Sequence, residues 1–103
     1  MIRAEFRYRD GEISGFSIKG HAGGVFGEDV VCAAVSSAAY MTANTLSDVC
    51  RLPVKATVKD GEMTVMLCSL NENAKMVLDG FLLHVKGLQE EYPTRIQLLK
   101  TEV

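Results

Sequence analysis

The chain carries one pattern twice, and this repetition limits the folds open to it. Each copy begins with two short predicted strands joined by an Asp-Gly-Glu turn, at residues 10–12 and again at residues 60–62, and three of these four strands show alternating apolar residues. An Asp-Gly pair between alternating runs is a strong β-hairpin signal, because the tight turn needs positive φ at both central residues. A longer segment with helical spacing follows each hairpin. The chain therefore predicts two ββα units in succession.

The spacing of the apolar residues sets approximate limits for each element. The predicted elements are strands over 2–8 and 12–19, a helix over 29–50, strands over 54–58 and 63–67, a helix over 73–91 and a last strand over 94–100. This order, β-β-α-β-β-α-β, predicts an α/β fold of the α+β type: a two-layer sandwich with one mixed sheet and both helices on one face. The 103 residues, of which 48% are hydrophobic, predict a single domain over residues 1–103.

The charge distribution and the cysteines indicate which classes of partner and which cellular location to expect. The net charge is −2, and the 11 basic residues are scattered with no run longer than one, so no direct nucleic-acid partner is expected. The longest mostly apolar run, residues 30–43, is too short to span a bilayer, so no membrane partner is expected. No signal peptide is recognised, and the three irregularly spaced cysteines predict reduced thiols in the cytoplasm. Their spacing suits no zinc site, and neither a metal nor a cofactor is expected.

The two copies differ in the length of the segment that connects the hairpin to the helix. In the second copy about four residues make this connection, whereas the first has the glycine-rich stretch GHAGGVFGE over residues 20–28. Long joints inside compact domains are usually functional. We therefore predict a mobile loop that covers a substrate. Its residues are Gly20, Ala22, Gly23, Gly24, Val25, Phe26, Gly27 and Glu28.

A histidine and a cysteine stand at the two ends of this joint. If Asp29 caps the following helix, Cys32 is its third residue and lies at the positive end of the helix dipole, which stabilises a thiolate. His21 closes the preceding strand, and the intervening residues are enough to bring it beside Cys32. A Cys–His pair is the minimal nucleophile and base for acyl transfer, and free N–H groups at the helix start could hold an oxyanion. Spacing alone leaves open a core cysteine and an unrelated histidine.

Two blocks, Gly-His-Ala at 20–22 and DVVCAAVS at 29–36, resemble the ribosomal-processing cysteine protease (Prp) family. The similarity extends over essentially the whole chain. It implies that Cys32 is the nucleophile and His21 the general base and acid, with supporting roles for Asp29 and Ser36.

The same resemblance implies a cysteine endopeptidase that removes a short N-terminal extension from a protein of the large ribosomal subunit. The substrate is then an extended peptide with aromatic residues just before the cut and a small residue after it. A homodimer is implied as well. Two alternatives stay open: a non-catalytic dimeric module that binds a peptide along its sheet edge during ribosome assembly, and a thiol hydrolase of small esters.

Overall fold

The computed structural model describes residues 1–20 and 26–102, with residues 26–29 described by their backbone alone. The order of elements is the one that the sequence predicts. The elements are β1 (Ile2–Arg9), β2 (Glu12–Lys19), α1 (Phe26–Asn44), a π-helical segment (Thr45–Val49), β3 (Val54–Lys59), β4 (Glu62–Leu67), α2 (Glu72–Glu91) and β5 (Ile96–Glu102).

The strands form one sheet in the order β3-β4-β2-β1-β5. Strands β1 and β5 are parallel and the other neighbours are antiparallel, which confirms the prediction of a mixed sheet. Both hairpins turn through residues with positive φ: 53° at Asp10 and 79° at Gly11, then 50° at Asp60 and 75° at Gly61. These are the left-handed conformations that an Asp-Gly turn favours, so the repeated turn signal identifies both hairpins correctly.

The core lies between one face of the sheet and the two helices. Phe81 of α2 packs against Phe6 and Phe16, with ring centroids 5.5 and 4.7 Å apart. Tilted aromatic contacts of this kind add about 0.5–1.5 kcal/mol beyond the area that they bury. From α1, Val31 and Val35 are buried in the same cluster, so both helices cover the same face. Among the described residues, no helix is both long and apolar enough to cross a lipid bilayer.

Helix α1 starts earlier than predicted. It begins at Phe26, so Asp29 lies inside the helix and the prediction of Asp29 as the N-cap is wrong. Residues 26–28, predicted as part of the loop, likewise belong to the helix. Glycine is about 1 kcal/mol less favourable than alanine inside a helix, so Gly27 is typical of a loop when the sequence is considered alone. In a helix of 19 residues, packing against the sheet overrides that cost.

The far end of this helix changes its hydrogen-bonding pattern. Instead of continuing as an α-helix to Cys50, the chain forms a π-helical segment in which Cys50 N–H donates to Thr45 O at 2.8 Å, five residues back. The hydroxyls of Thr45 and Ser47 donate to backbone carbonyl oxygens four residues earlier, at 2.7 and 3.1 Å. Such side-chain bonds compete for carbonyls of the helix and favour a local change of its pattern.

The two edges of the sheet also depart from prediction. Alternation in 54–58 predicts a half-buried strand, yet Ala56 and Val58 of β3 are exposed, Val58 to 59%. Because β3 is an edge strand, the helices cover it less than they cover the central strands. At the opposite edge, β5 begins two residues later than predicted and runs from Ile96 to Glu102.

Candidate active site

An apolar cleft of about 200 Å³ opens between α1 and the β3 side of the sheet. One wall comes from α1, where Cys32, Ser36 and Tyr40 follow one another at four-residue spacing and therefore share a helix face. The facing residues come from several strands and their ends. They include Ile2, Ile18, Gly20, Val58, Glu62 and Met63. The cleft thus lies between α1 on one side and strands β1, β2, β4 and β3 on the other.

Cys32 is a half-buried free thiol on the wall of this cleft. It is the seventh residue of α1 and not the third, because the helix begins at Phe26. Only the first four N–H groups of a helix lack intrahelical partners, and the influence of the helix dipole falls off within the first turn. The prediction that Cys32 is the third residue of the helix is therefore wrong, whereas the expectation of oxyanion donors near it stays a prediction.

Ser36 lies one helical turn after Cys32 and lines the same cleft, as the spacing predicts. Its hydroxyl makes no hydrogen bond to any residue that the structure describes. By contrast, Thr42 on the same helix donates to the carbonyl of Ala38 at 2.7 Å. The Ser36 hydroxyl is consequently a polar group in an apolar cleft that can still bind a ligand.

Glu62 is the acidic group described at this cleft, and its carboxylate already has partners. Ser17 donates to Glu62 Oε1 at 3.3 Å, and Lys19 Nζ lies 3.6 Å from Glu62 Oε2. Both partners come from β2, on the side of the sheet away from the helices. Glu62 therefore links β4 to β2 through these contacts and is not a second candidate for acid–base chemistry beside Cys32.

Gly20 connects β2 to the predicted loop and lines the cleft. Its φ is 104°, and a β-carbon at this position would collide with the carbonyl oxygen of Met1. A glycine is required here because the backbone passes close to the start of β1 in a conformation that other residues rarely adopt. His21 and the other loop residues predicted from sequence (Ala22, Gly23, Gly24 and Val25) lie outside the described residues. The Cys32–His21 pair therefore stays a prediction.

Sequence reasoning missed several residues that shape the cleft, among them Tyr40, Val58 and Met63. Tyr40 had a usable signal, since it lies eight residues after Cys32 and so on the same face of α1. Val58 and Met63 are cross-strand partners in the second hairpin. Their place opposite Cys32 depends on how α1 crosses the sheet, which periodicity does not specify.

The remaining cysteines and the second histidine lie elsewhere. Cys50 is half-buried and Cys68 is exposed, and neither lines the cleft of Cys32. His84 is exposed on α2 and lines a different groove between α1 and α2. Within residues 1–20 and 26–102, no three His, Cys, Asp or Glu side chains are grouped closely enough to hold a metal ion.

Comparison with known families identifies the class of protein to which this fold and cleft belong. The family described as cysteine protease Prp matches residues 1–97, and the chain therefore belongs to that family. The enzyme class predicted from sequence, a cysteine protease, is confirmed. The family match does not support the alternative of a non-catalytic binding module.

Solved structures show the same fold. SMU.848 from Streptococcus mutans is 29% identical, with a TM-score of 0.87 over 100% of this chain and 96% of that one. An essential ribosomal processing protease Prp from S. aureus, in complex with a substrate peptide, is 24% identical, with a TM-score of 0.89 over 98% of this chain and 100% of that one. The same S. aureus protease with a covalently linked product peptide has a TM-score of 0.88 at 24% identity, over 98% of this chain and 100% of that one. No curated protein matches the chain significantly.

Proposed function

We propose that Cys32 is the nucleophile and His21 the general base and acid of peptide hydrolysis in the apolar cleft. The observation that carries the proposal is the position of Cys32, the one cysteine of three that lines this cleft. The chain has two histidines, and His84 lines the separate groove between the helices. His21 is the remaining histidine, and it directly follows Gly20, which lines the cleft itself.

In the proposed reaction, His21 takes the thiol proton and Cys32 Sγ attacks the carbonyl carbon of the scissile peptide. A carbon–sulfur bond forms, and the carbon–nitrogen bond breaks as His21 returns the proton to the leaving amine. His21 then takes a proton from water, whose oxygen attacks the thioester and releases a carboxylic acid and the Cys32 thiol. Proton transfer of this kind contributes about 10²–10⁴-fold in rate. Because Cys32 lies beyond the first turn of α1, its activation depends more on His21 than on the helix dipole.

Supporting roles are proposed for the other residues of the two sequence blocks. The Ser36 hydroxyl, which has no hydrogen-bond partner among the described residues, is placed to bond a group bound beside Cys32. Asp29 is proposed to support the site from the first turn of α1. Gly20 and residues 22–25 are proposed to cover the bound substrate, while residues 26–28 form the start of the helix.

The substrate that we propose is the N-terminal extension of a protein of the large ribosomal subunit. The S. aureus protease of the same fold is described as a ribosomal processing protease and binds a substrate peptide. The cleft, about 200 Å³ and mostly apolar, has room for one aromatic side chain, since an engineered cavity of about 150 Å³ in another protein holds benzene. Edge strand β3 borders the cleft at Val58 and offers free backbone groups to an extended peptide.

Homodimerisation and a cytoplasmic location complete the proposal. On α1, Val30 and Met41 expose 61% and 68% of their surface, and covering such residues is a common role of a second chain. Ribosomes assemble in the cytoplasm, where the three free thiols stay reduced. Sedimentation of the purified protein, compared with a Met41→Glu variant, tests the dimer.

The decisive experiment incubates the protein with a ribosomal precursor protein and with a synthetic peptide that spans its extension, and measures the product masses. The wild type should cut once, after an aromatic residue. Cys32→Ala should bind the peptide and leave it intact, whereas Cys50→Ala and Cys68→Ala serve as matched controls and should cut at the normal rate. Normal cleavage by Cys32→Ala would refute the assignment. Hydrolysis of small esters without cleavage of the precursor would instead favour the thiol hydrolase.

A second experiment tests the role of His21 separately. The three thiols are alkylated with iodoacetamide at pH 6, and mass mapping follows the rate at each cysteine. Cys32 should react fastest, and His21→Ala should slow it, while the matched variant His84→Ala should leave the rate unchanged. Equal slow reaction of all three cysteines in the wild type would contradict activation by His21.

A further inference from the structure

The side of the sheet turned away from the helices gathers basic residues that are scattered in the sequence. Arg3, Glu5 and Arg7 of β1 point to this side, and each begins a row of paired residues that continues from strand to strand across the sheet. We define the open sheet face as these three rows. Its basic members are Arg3, Arg7, Lys19, Lys55 and Lys59. They fall in two cross-strand rows that lie about 13 Å apart, since four residues separate the rows along each strand.

The charge of this face is opposite to that of the chain as a whole. It holds five of the chain's 11 basic residues but only two of its 13 acidic ones, Glu5 and Glu62. Six basic and eleven acidic residues are left for the rest of the protein. The face is therefore net positive by three charges on a chain of net charge −2. Asp60, in the turn at one corner, reduces this excess without reversing it.

Both acidic residues of the face are already held by neighbours. Arg7 lies 3.4 Å from the Glu5 carboxylate, and Thr101 donates to the same group at 2.6 Å. Glu62 is held in the same way by β2. In contrast, Arg3, Lys55 and Lys59 are exposed, and their side chains form no ion pair or hydrogen bond with the described residues. Three cations of one flat surface are thus available to an anionic partner.

We propose that the open sheet face binds the phosphodiester backbone of RNA. Protein–protein interfaces have an apolar, often aromatic core, whereas nucleic-acid interfaces are more polar and strongly positive. The apolar side chains of this face are Met66 and Leu99, the latter 37% exposed, and none of its paired residues is aromatic. Binding would consequently use phosphates and not base stacking, and would be independent of sequence. The inference reverses the expectation of no nucleic-acid partner, because that expectation considered only runs of charge along the chain.

A second copy of the chain fits this face less well. A closed dimer related by a two-fold axis through this face would bring two net positive surfaces together, with like-charge repulsion. Contact with the acidic remainder of another copy would be head-to-tail, and such contacts grow into open assemblies unless the rotation closes a ring. The face shares Glu62 with the cleft of Cys32, but its basic residues do not line that cleft.

The experiment measures the fluorescence anisotropy of a labelled 20-nucleotide poly(U) RNA titrated with the full chain over a range of KCl concentrations. Three phosphate contacts predict a slope of about −2 for the logarithm of affinity against the logarithm of salt. The triple variant Arg3→Gln/Lys55→Gln/Lys59→Gln should lose about 10-fold or more in affinity at low salt, with a slope near zero. The matched variant Arg51→Gln/Lys86→Gln/Lys100→Gln has the same net charge and should bind like the wild type.

A variant expected to bind more tightly completes the test, because a gain in affinity cannot result from unfolding of the variant. Thr57 is exposed at the centre of β3 on this face, and Thr57→Lys should tighten binding and steepen the slope by about 0.7. The proposal is overturned if the wild type does not bind RNA at low salt, or if both triple variants weaken binding equally. It is also overturned if polyglutamate competes as well as unlabelled RNA, or if sedimentation at low salt shows growing assemblies of the chain instead.

Discussion

The substitution Gly20→Ala tests the close backbone contact beside the cleft. An alanine at φ 104° pays the strain of a sparsely populated conformation, about 1–3 kcal/mol. Its β-carbon would also collide with the Met1 carbonyl oxygen, so the start of β1 must move. Together these effects predict a loss of about 2–4 kcal/mol from a total stability that is typically about 5–15 kcal/mol. The melting temperature should fall by at least about 8 °C, because 1 kcal/mol corresponds to about 4–8 °C in a domain of this size.

The measurement is thermal unfolding followed by circular dichroism, with Gly80→Ala and Gly87→Ala as matched controls. Both of these glycines lie in α2, and a β-carbon at either position meets no atom within 4 Å. Each control should raise stability by up to about 1 kcal/mol, because alanine is the better helix former. A Gly20→Ala protein that melts within about 2 °C of the wild type would refute the claim that this position requires glycine.

Three further predictions concern other positions. Asn71→Ala should lower the free energy of unfolding by about 1 kcal/mol in chemical denaturation, because the Asn71 side chain caps α2. Its oxygen accepts from Asn73 N at 2.8 Å and Ala74 N at 3.3 Å, and an unchanged midpoint would contradict this role. Arg51→Gly should stabilise the protein by about 0.5–1 kcal/mol in the same assay, since Arg51 holds φ 54° directly after Cys50, the C-cap of the π-helical segment. Arg51→Ala, which keeps the strain, should not. Val58→Asp should raise the KM for a peptide with an aromatic residue before the cut by about 10-fold in steady-state assays, while Val49→Asp, at an exposed position outside the cleft, should not. A fall in kcat alone would argue against a binding role.

Local signals in the sequence were enough to predict the order of elements and the single mixed sheet. The Asp-Gly pairs adopt the positive φ values that their turns require, and alternation identifies β1 and β4 correctly. Element ends were less accurate, because they depend on contacts that the local sequence does not contain. Gly27 belongs to α1 despite its low helix propensity, and hydroxyl bonds from Thr45 and Ser47 accompany the change to a π-helical segment.

The candidate site was predictable where it depends on one element and not where it depends on several. Helical spacing places Ser36 beside Cys32, and the same rule applied once more would have found Tyr40. The early start of α1 moves Cys32 into the second turn, so a single error in a helix boundary changed the expected source of thiol activation. Val58 enters the cleft through the pairing of β3 with β4 and the path of α1, which no short motif encodes.

Alternation along a strand places apolar residues in the core and charged residues together on the opposite face of the sheet. A hydrophobicity profile detects only the first of these effects. On β1, Ile2, Ala4 and Phe6 are apolar and buried, and these alternate positions build the core beneath the helices. The intervening positions hold Arg3, Glu5 and Arg7, which a linear scan records as isolated charges. Because strands β2, β4 and β3 continue the same alternation, their polar positions align with those of β1 across the sheet. In a β-sheet protein the clustering of charge must therefore be judged by strand parity, since cations two residues apart in sequence are neighbours on one face.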